Sequence, residues 1–297
     1  MNLNKLHILL LIEKHQKVTE VANVLGISQP TVTFHMKSLE QELKIPLFQT
    51  RSGKILLTEA GRTVSHYAQR IMTLVEQTHR INRDYLSLRT GSLAIGASFI
   101  PAAYTLPVVL RSFTANYPDT HLTLTVKPAP SILQLLVNEQ LDIGFISSLQ
   151  APSDFIQYIP LREDHLVIVF HPQHPLAHWN PLQPDKLKDA CFISHGKDST
   201  TYQMVAEWMN RQGIILNHHL EIDSLEIIKR LLIQGYGFSI ISHLAVEQEI
   251  NQGLLVSRTL PGEPLKRHIY LAFHKEHWQS PLMREFIRTF QIEAGSW

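Results

Sequence analysis

The chain has 297 residues, 44% of them hydrophobic and 18% charged, with a formal net charge of +1 at pH 7. That balance is ordinary for a globular chain, excludes extensive disorder or low complexity, and predicts about two domains. A single cysteine, Cys191, excludes an internal disulfide, fits a reducing cytoplasm and reads as a buried thiol, and no apolar run approaches the roughly 20 residues a membrane span needs.

The opening MNLNKLHILLLIEKH holds an apolar run from Leu6 to Ile12 that mimics a signal peptide. It lacks a small-residue cleavage site and runs straight into Glu13 and Lys14, so it is expected to be the first core helix of an N-terminal domain. TEVANVLG supplies a second, shorter helix from Thr19 to Leu25 with Val21, Ala22 and Leu25 inward, and Gly26 tolerates the left-handed turn that follows. Ser28 can accept from the free amides of a helix start, and Pro30 lacks the N–H that would stay unpaired there, so a third helix begins near Gln29. Val32, Met36, Leu39 and Leu43 form its buried stripe; Gln29, Thr31, Thr33, Phe34, Lys37 and Gln41 form the opposite face. Helix, glycine turn and capped second helix make a helix-turn-helix.

In that motif the second helix enters the DNA major groove. Gln29, Thr31 and Thr33 carry groups that discriminate base edges, Phe34 can pack on a thymine methyl, and Lys37 reaches a phosphate. Ser28 and Pro30 belong to the same face at the helix start. Next comes KIPLFQTRSGKILLTEAG, in which Ser52-Gly53 turns between two β-capable runs, a hairpin expected to form a wing with Arg51 and Lys54 at its tip. Up to Leu57 there are seven bases against four acids, a net of +3, which leaves −2 for the rest of the +1 chain. The positive field is thus confined to the N-terminal segment.

Through AnvLgiSQPtVt, KsLEqeL, LF and LTEAG, in this order and spacing, the chain resembles the LysR-type transcriptional regulators. It departs from the family's pattern at Lys17, at Val21, at Phe34, and at Thr50, where the basic residue stands one place later as Arg51. The resemblance implies a sequence-specific regulator with a winged helix-turn-helix, a linker helix and a C-terminal effector domain.

From Thr58 a capped helix is expected to run to about Leu88. Val64, Tyr67, Ile71, Leu74, Thr78, Ile81, Tyr85 and Leu88 alternate steps of three and four, the seam of a two-helix coiled coil, so a second copy of the chain is the expected partner. A dimer, and beyond it a tetramer, would present paired recognition helices to two half-sites.

After the short hinge RTGS at Arg89 to Ser92 the pattern changes to α/β with a largely parallel sheet. Expected strands are LAIGA, LTLTV, LDIGFI, HLVIVF, CFIS, LEI, GFSII and HIYLAF. Expected helices run from Tyr104 to Tyr117, Ser131 to Asn138, Thr201 to Arg211, Ser224 to Gln234 and Leu282 to Gln291. The resemblance implies that this region forms two subdomains like those of periplasmic solute-binding proteins, with the chain crossing between them near Pro160 to Asp164 and Gly262 to Arg267. The expected organisation is a DNA-binding domain over 1–58, a linker helix and hinge over 59–90, and an effector domain over 91–297. Within the last, subdomain I covers about 91–161 and 268–297 and subdomain II about 162–267.

Ligands of open α/β sheets sit where strands end and helices begin. The loops there carry Ser98, Phe99 and Ile100, then Pro130 and Ser131, then Ser147, then His195, Ser199 and Thr200, and finally Ser224. Hydroxyls recur and charges are few. These residues are the candidate contacts for a small-molecule effector, and Ile100, Ala102 and Ala103 argue for an effector with an apolar part.

No nucleophile elbow, phosphate-binding glycine loop or dinucleotide fingerprint is present, so no catalytic residues are assigned and the chain is not expected to be an enzyme. His171, His174 and His178 are broken up by Pro172 and Pro175 without a nearby carboxylate pair, and His218 and His219 point to opposite faces of a strand, so neither metal nor other cofactor is expected. The rival reading, a solute-binding receptor without DNA function, needs export, for which the N-terminus offers no signal. The expectation is a cytoplasmic regulator that binds double-stranded DNA and responds to a small molecule.

Overall fold

The computed structural model describes residues 1–51, 53–84, 91–149, 154–216, 218–276 and 279–294; within these, the side chains of 77, 79–84, 218–219 and 294 lie outside the description. The chain divides into two units, Met1–Ser87 and Leu88–Trp297.

In the first unit, α1 (Leu3–His15) starts at Asn2, whose side chain accepts from the Lys5 amide at 3.1 Å. Helix α2 (Val18–Leu25) ends at Gly26 with φ 64°, and α3 (Gln29–Leu43) starts at Ser28. Their apolar faces meet in one core of Ile8, Ile12, Val21, Ala22, Val32 and Met36. The hairpin β1 (Phe48–Arg51) and β2 (Lys54–Leu57) is antiparallel, with Gly53 turning at φ 73°.

Two residues of the family-like motifs join the hairpin to the helices. The Glu40 carboxylate on α3 accepts from the Leu47 and Phe48 amides at 2.8 and 3.1 Å. Thr58 caps α4 (Glu59–Asp84), its hydroxyl accepting from the Gly61 amide at 2.9 Å while donating to the Pro46 carbonyl at 2.8 Å. Any side chain at position 61 would strike the Leu47 carbonyl, so only glycine lets α4 lie this close to the wing.

The seam expected on α4 is divided. Val64 and Ile71 pack into the unit's own second core with Leu6, Leu9, Leu39 and Ala68, whereas Tyr67 and Leu74 stay 58% and 49% exposed. The Ile81 side chain, Tyr85, Leu88 and the hinge at Arg89 lie outside the description.

Among the described residues of the second unit, nine strands form one sheet in the order β4-β3-β5-β11-β6-β9-β7-β8, with β10 also on β6. One lobe is built from β3 (Ser92–Ala97), β4 (His121–Val126) and β5 (Ile143–Ser148), with α5 (Phe99–Tyr104), α6 (Leu106–Asn116), α7 (Ala129–Val137) and the chain-closing α11 (Pro281–Ala294). The other is built from β7 (Phe192–His195), β8 (His218–Ile222), β9 (Phe238–Ser242) and β10 (Val256–Arg258), with α8 (Thr200–Gln212), α9 (Leu225–Ile233) and α10 (Glu247–Asn251). Strands β6 (Ile156–Phe170) and β11 (Lys266–His274) belong to both. Phe113, Phe145, Phe286 and Phe290 dominate the core of the first lobe; Phe170, Phe192, Trp208 and Phe238 dominate that of the second.

Three expectations need correction. The sheet is mixed: β3 with β4 and β5, and β7 with β8 and β9, are parallel, but β6 and β11 return from the opposite lobe and pair antiparallel with each other and with β5, β9 and β10. The strand expected as HLVIVF is only the second half of the fifteen-residue β6, because Pro160 and the charged run Arg162 to Asp164 hid its first half. The helix expected from Tyr104 to Tyr117 is α6, Leu106–Asn116, with Pro107 in its first turn, and the separate short helix α5 ahead of it, ending at Tyr104, was not expected.

Candidate functional site

On the first unit the recognition face is α3. Ser28 accepts from the Thr31 amide at 3.3 Å, and the two hydroxyls lie 2.8 Å apart, so both side chains are engaged in starting the helix. Thr33 donates its hydroxyl to the Gln29 carbonyl at 3.1 Å and keeps its oxygen as an acceptor toward solvent. Gln29, Pro30, Thr33, Phe34 and Lys37 line one open groove together with Val18 of α2, a residue the sequence reading missed because it started that helix one residue later, at Thr19. Phe34 is 66% exposed, far beyond what packing within the domain explains. Arg51 and Lys54 face each other in register at the wing tip and are both exposed.

In the second unit the two lobes face each other across a cavity of about 260 Å³ lined by Phe99, Ile100, Pro128, Leu225, His195, Gly196, Asp198, Ser199, Thr201 and Asp223. A wider opening of about 450 Å³ adjoins it, sharing Phe99, Asp223 and Leu225 and adding Ala103, Tyr104, Ser224 and Glu226. Of the expected contacts, Phe99, Ile100, His195 and Ser199 line the first space and Ser224 the second. Ser199 and Ser224 are also N-caps, accepting from the Tyr202 and Ile227 amides at 3.1 and 3.4 Å.

Ser98, Ser147 and Thr200 are not among the residues lining either space. The Ser147 amide donates to the Ser98 hydroxyl oxygen at 3.0 Å, and Thr200 donates to the Ser147 carbonyl at 3.3 Å, from one lobe to the other. Pro130 and Ser131 are corrected: α7 begins at Ala129, earlier than expected, because a proline is tolerated in a first helical turn, and both residues are exposed on that turn, outside the residues that line the cavity. Pro128 takes the place assigned to them.

The sequence reading also missed a buried charged layer. Arg267 on β11 pairs in register with Asp164 on β6, and its Nε donates to the Asp164 carboxylate at 2.8 Å, with both side chains almost fully enclosed. Ser242 donates to the other Asp164 oxygen at 2.7 Å, and Arg267 Nη1 donates to the Thr201 hydroxyl at 3.1 Å. Asp164 and Arg267 stand at the ends of the two expected crossings. Opposite charges there are the one signal that would have paired them.

His195 is half-buried as a residue, but its Nε2 is enclosed. Its pKa is lowered to about 4, first by burial and then by the Arg267 charge, against a hydrogen bond with the Ile240 backbone. The imidazole is therefore neutral near pH 7. His171 and His174 accept from the Gln173 and Leu176 amides through Nδ1, both at 3.2 Å, and so serve as turn caps.

Residues 3–62 match the family model of the bacterial regulatory helix-turn-helix protein of the lysR family, and residues 87–294 match that of the LysR substrate binding domain. A probable RuBisCO transcriptional regulator of Cyanidium caldarium is 30% identical over 290 residues, covering 96% of this chain and 91% of that protein. Full-length CbnR, solved with its target DNA, aligns over 98% of this chain and 99% of its own at a TM-score of 0.69 and 21% identity. The regulatory domain of Synechocystis PCC6803 CcmR, solved in complex with 2-PG, covers 69% of this chain and 98% of its own at a TM-score of 0.63 and 25% identity.

Proposed function

The chain belongs to the LysR family of DNA-binding transcriptional regulators, and on that premise we propose which of its residues meet DNA and which meet the effector. Gln29, Thr33 and Phe34 read base edges in the major groove, while Lys37, Arg51 and Lys54 hold phosphates. Ser28, Pro30 and Thr31 set the start of α3. The effector lies between the lobes against Phe99, Ile100, Pro128, His195, Thr201 and Leu225. Two copies join along the exposed Tyr67 and Leu74 stripe of α4, supported by the amount of apolar surface left open there. The chain acts in the cytoplasm, catalyses no reaction and uses no metal or cofactor beyond the effector. Among its described residues no helix is long and apolar enough to cross a membrane.

One observation carries this reading: a cavity between two lobes whose strands are continuous with each other, in the same chain as a helix with an open polar face. An effector that prefers one lobe arrangement shifts the population toward it, and the shift alters how paired recognition helices meet the operator. The test uses a Leu225→Trp variant, which fills the cavity from a half-buried position. Genomic footprinting with metabolite extract is expected to show unchanged operator choice and a lost response to the extract. A variant that responds like the wild type would place the effector elsewhere.

A further inference from the structure

The recognition face of α3 carries an aromatic side chain that the domain's own packing does not use. Phe34 is 66% exposed, and the groove it lines also holds the Gln29 amide, the Thr33 hydroxyl and the Lys37 ammonium. A lone exposed ring needs no partner, but Phe34 is not alone. Val18, the first residue of α2, lines the same groove from the other helix. Val18 is half-buried and packs with Val21, Val32 and Met36, so its place is fixed by the core. The Phe34 ring meets the His35 ring edge-on, with centroids 5.8 Å apart and planes at 65°, which narrows the rotations open to it.

The major groove offers such a pocket one kind of apolar group. Base edges there present hydrogen-bond donors and acceptors, and thymine adds a C5 methyl that cytosine lacks. A methyl entering between a valine and a phenyl ring leaves water and gains contacts on both sides. Gln29 and Thr33 flank that position and serve the polar edge atoms of the same and neighbouring pairs, while Lys37 is the cation of the groove and suits a phosphate.

Resting on the reading of α3 as the recognition helix, we propose that Val18 and Phe34 are the walls of a pocket for the C5 methyl of a pyrimidine, so that the chain selects thymine by its methyl group and accepts 5-methylcytosine in its place. Operator binding then depends on cytosine methylation wherever a cytosine occupies that position.

The full chain is titrated by fluorescence anisotropy against its footprinted operator, with each thymine in turn replaced by deoxyuridine, which removes the methyl and keeps every hydrogen-bonding atom. A thymine in each half-site is expected to lose affinity about fourfold on this change, the factor that burial of one methyl implies. At that position, 5-methylcytosine opposite guanine is expected to bind about fourfold more tightly than cytosine opposite guanine. Both ratios are expected to fall to about one in Phe34→Ala and partway in Val18→Ala, with binding to scrambled duplex unchanged, which verifies the fold. If no position responds to uracil, the pocket is overturned even where Phe34→Ala weakens the operator, since the ring then acts as a wedge between base steps. A uracil effect that persists in Phe34→Ala belongs to the duplex or to another residue, and the pocket falls. Ratios unchanged in Val18→Ala remove one wall and overturn the pocket as proposed, and equal binding of cytosine and 5-methylcytosine overturns the methylation dependence. Gln29→Ala keeps these failures apart from failure of the recognition face: selective loss of operator binding retains α3 as the reader, whereas equal loss on operator and scrambled duplex overturns both readings.

Discussion

The Thr200 hydroxyl, in the first turn of α8, donates to the Ser147 carbonyl at the end of β5 across 3.3 Å, so one side-chain hydrogen bond spans the two lobes. Replacing it with valine keeps the shape and removes the bond, which costs the closed arrangement about 1 kcal/mol. Thr200→Val is expected to raise hydrogen exchange at the β5 and α8 amides by roughly fivefold, since 1.4 kcal/mol is tenfold. Unchanged exchange there would mean that the lobes are held elsewhere, for instance where Tyr104 donates to the Ala245 carbonyl.

On the DNA face the residues separate by role. Gln29→Ala is expected to lower operator affinity by about 1 to 3 kcal/mol with little change in non-specific binding. Lys37→Ala is expected to weaken both together and flatten the salt dependence. Fluorescence anisotropy with operator and scrambled duplexes over a salt series decides. A parallel fall in both affinities for Gln29→Ala would contradict its assignment to a base edge.

Glu40 carries the wing. Its carboxylate meets two amides, and Glu40→Ala leaves both without their acceptor, a loss of about 2 kcal/mol. Glu40→Gln retains an acceptor oxygen and is expected to lose less. Thermal unfolding of the two variants should rank them in that order; equal midpoints would show that water replaces the carboxylate.

Leu74→Asp places a charge on the exposed stripe of α4. A paired stripe cannot solvate it, so the assembly is expected to dissociate in sedimentation velocity, while the buried side of the helix, anchored by Ala68, stays folded. An unchanged sedimentation coefficient would remove α4 from the interface.

His195 makes stability depend on pH. Its folded pKa of about 4 lies below the ordinary 6.5, so the unfolded chain takes up a proton first as pH falls. Its contribution is whole above pH 6.5 and is lost toward pH 4, at up to about 1.4 kcal/mol per pH unit. Urea unfolding at several pH values should show this slope, and His195→Gln should flatten it. A slope that survives the substitution belongs to another group.

The local elements were legible because each carries its own signal: Ser28 and Pro30 start α3, Gly26 turns, and Val32, Met36 and Leu39 mark the buried side. Strand-to-helix loops were legible as a class, which is why His195 and Ser199 lie at the cavity. What stayed hidden depends on pairing over long distances. Asp164 and Arg267 are 103 residues apart in sequence, and only the antiparallel register of β6 with β11 brings them together. Ser98 and Thr200 looked like ligand contacts, but their hydroxyls are engaged with the Ser147 backbone. A serine or threonine at a strand end reads the same in sequence whether it serves the fold or a guest. Pro130 and Ser131 lie outside the described lining for the simpler reason that α7 starts earlier than expected.

Strands β6 and β11 run through both lobes as one ladder, with a register shift between Ile269 and Tyr270 that leaves Leu161 unmatched. Leu161 touches apolar clusters on either side of that point. A pair of lobes joined by loose connectors wanders through a continuum of openings, whereas lobes cut from a single sheet bend only where the ladder is already irregular. The bulge thus works as a crease in a stiff card. Any bend of one lobe against the other is therefore expected at Leu161 rather than spread along the ladder.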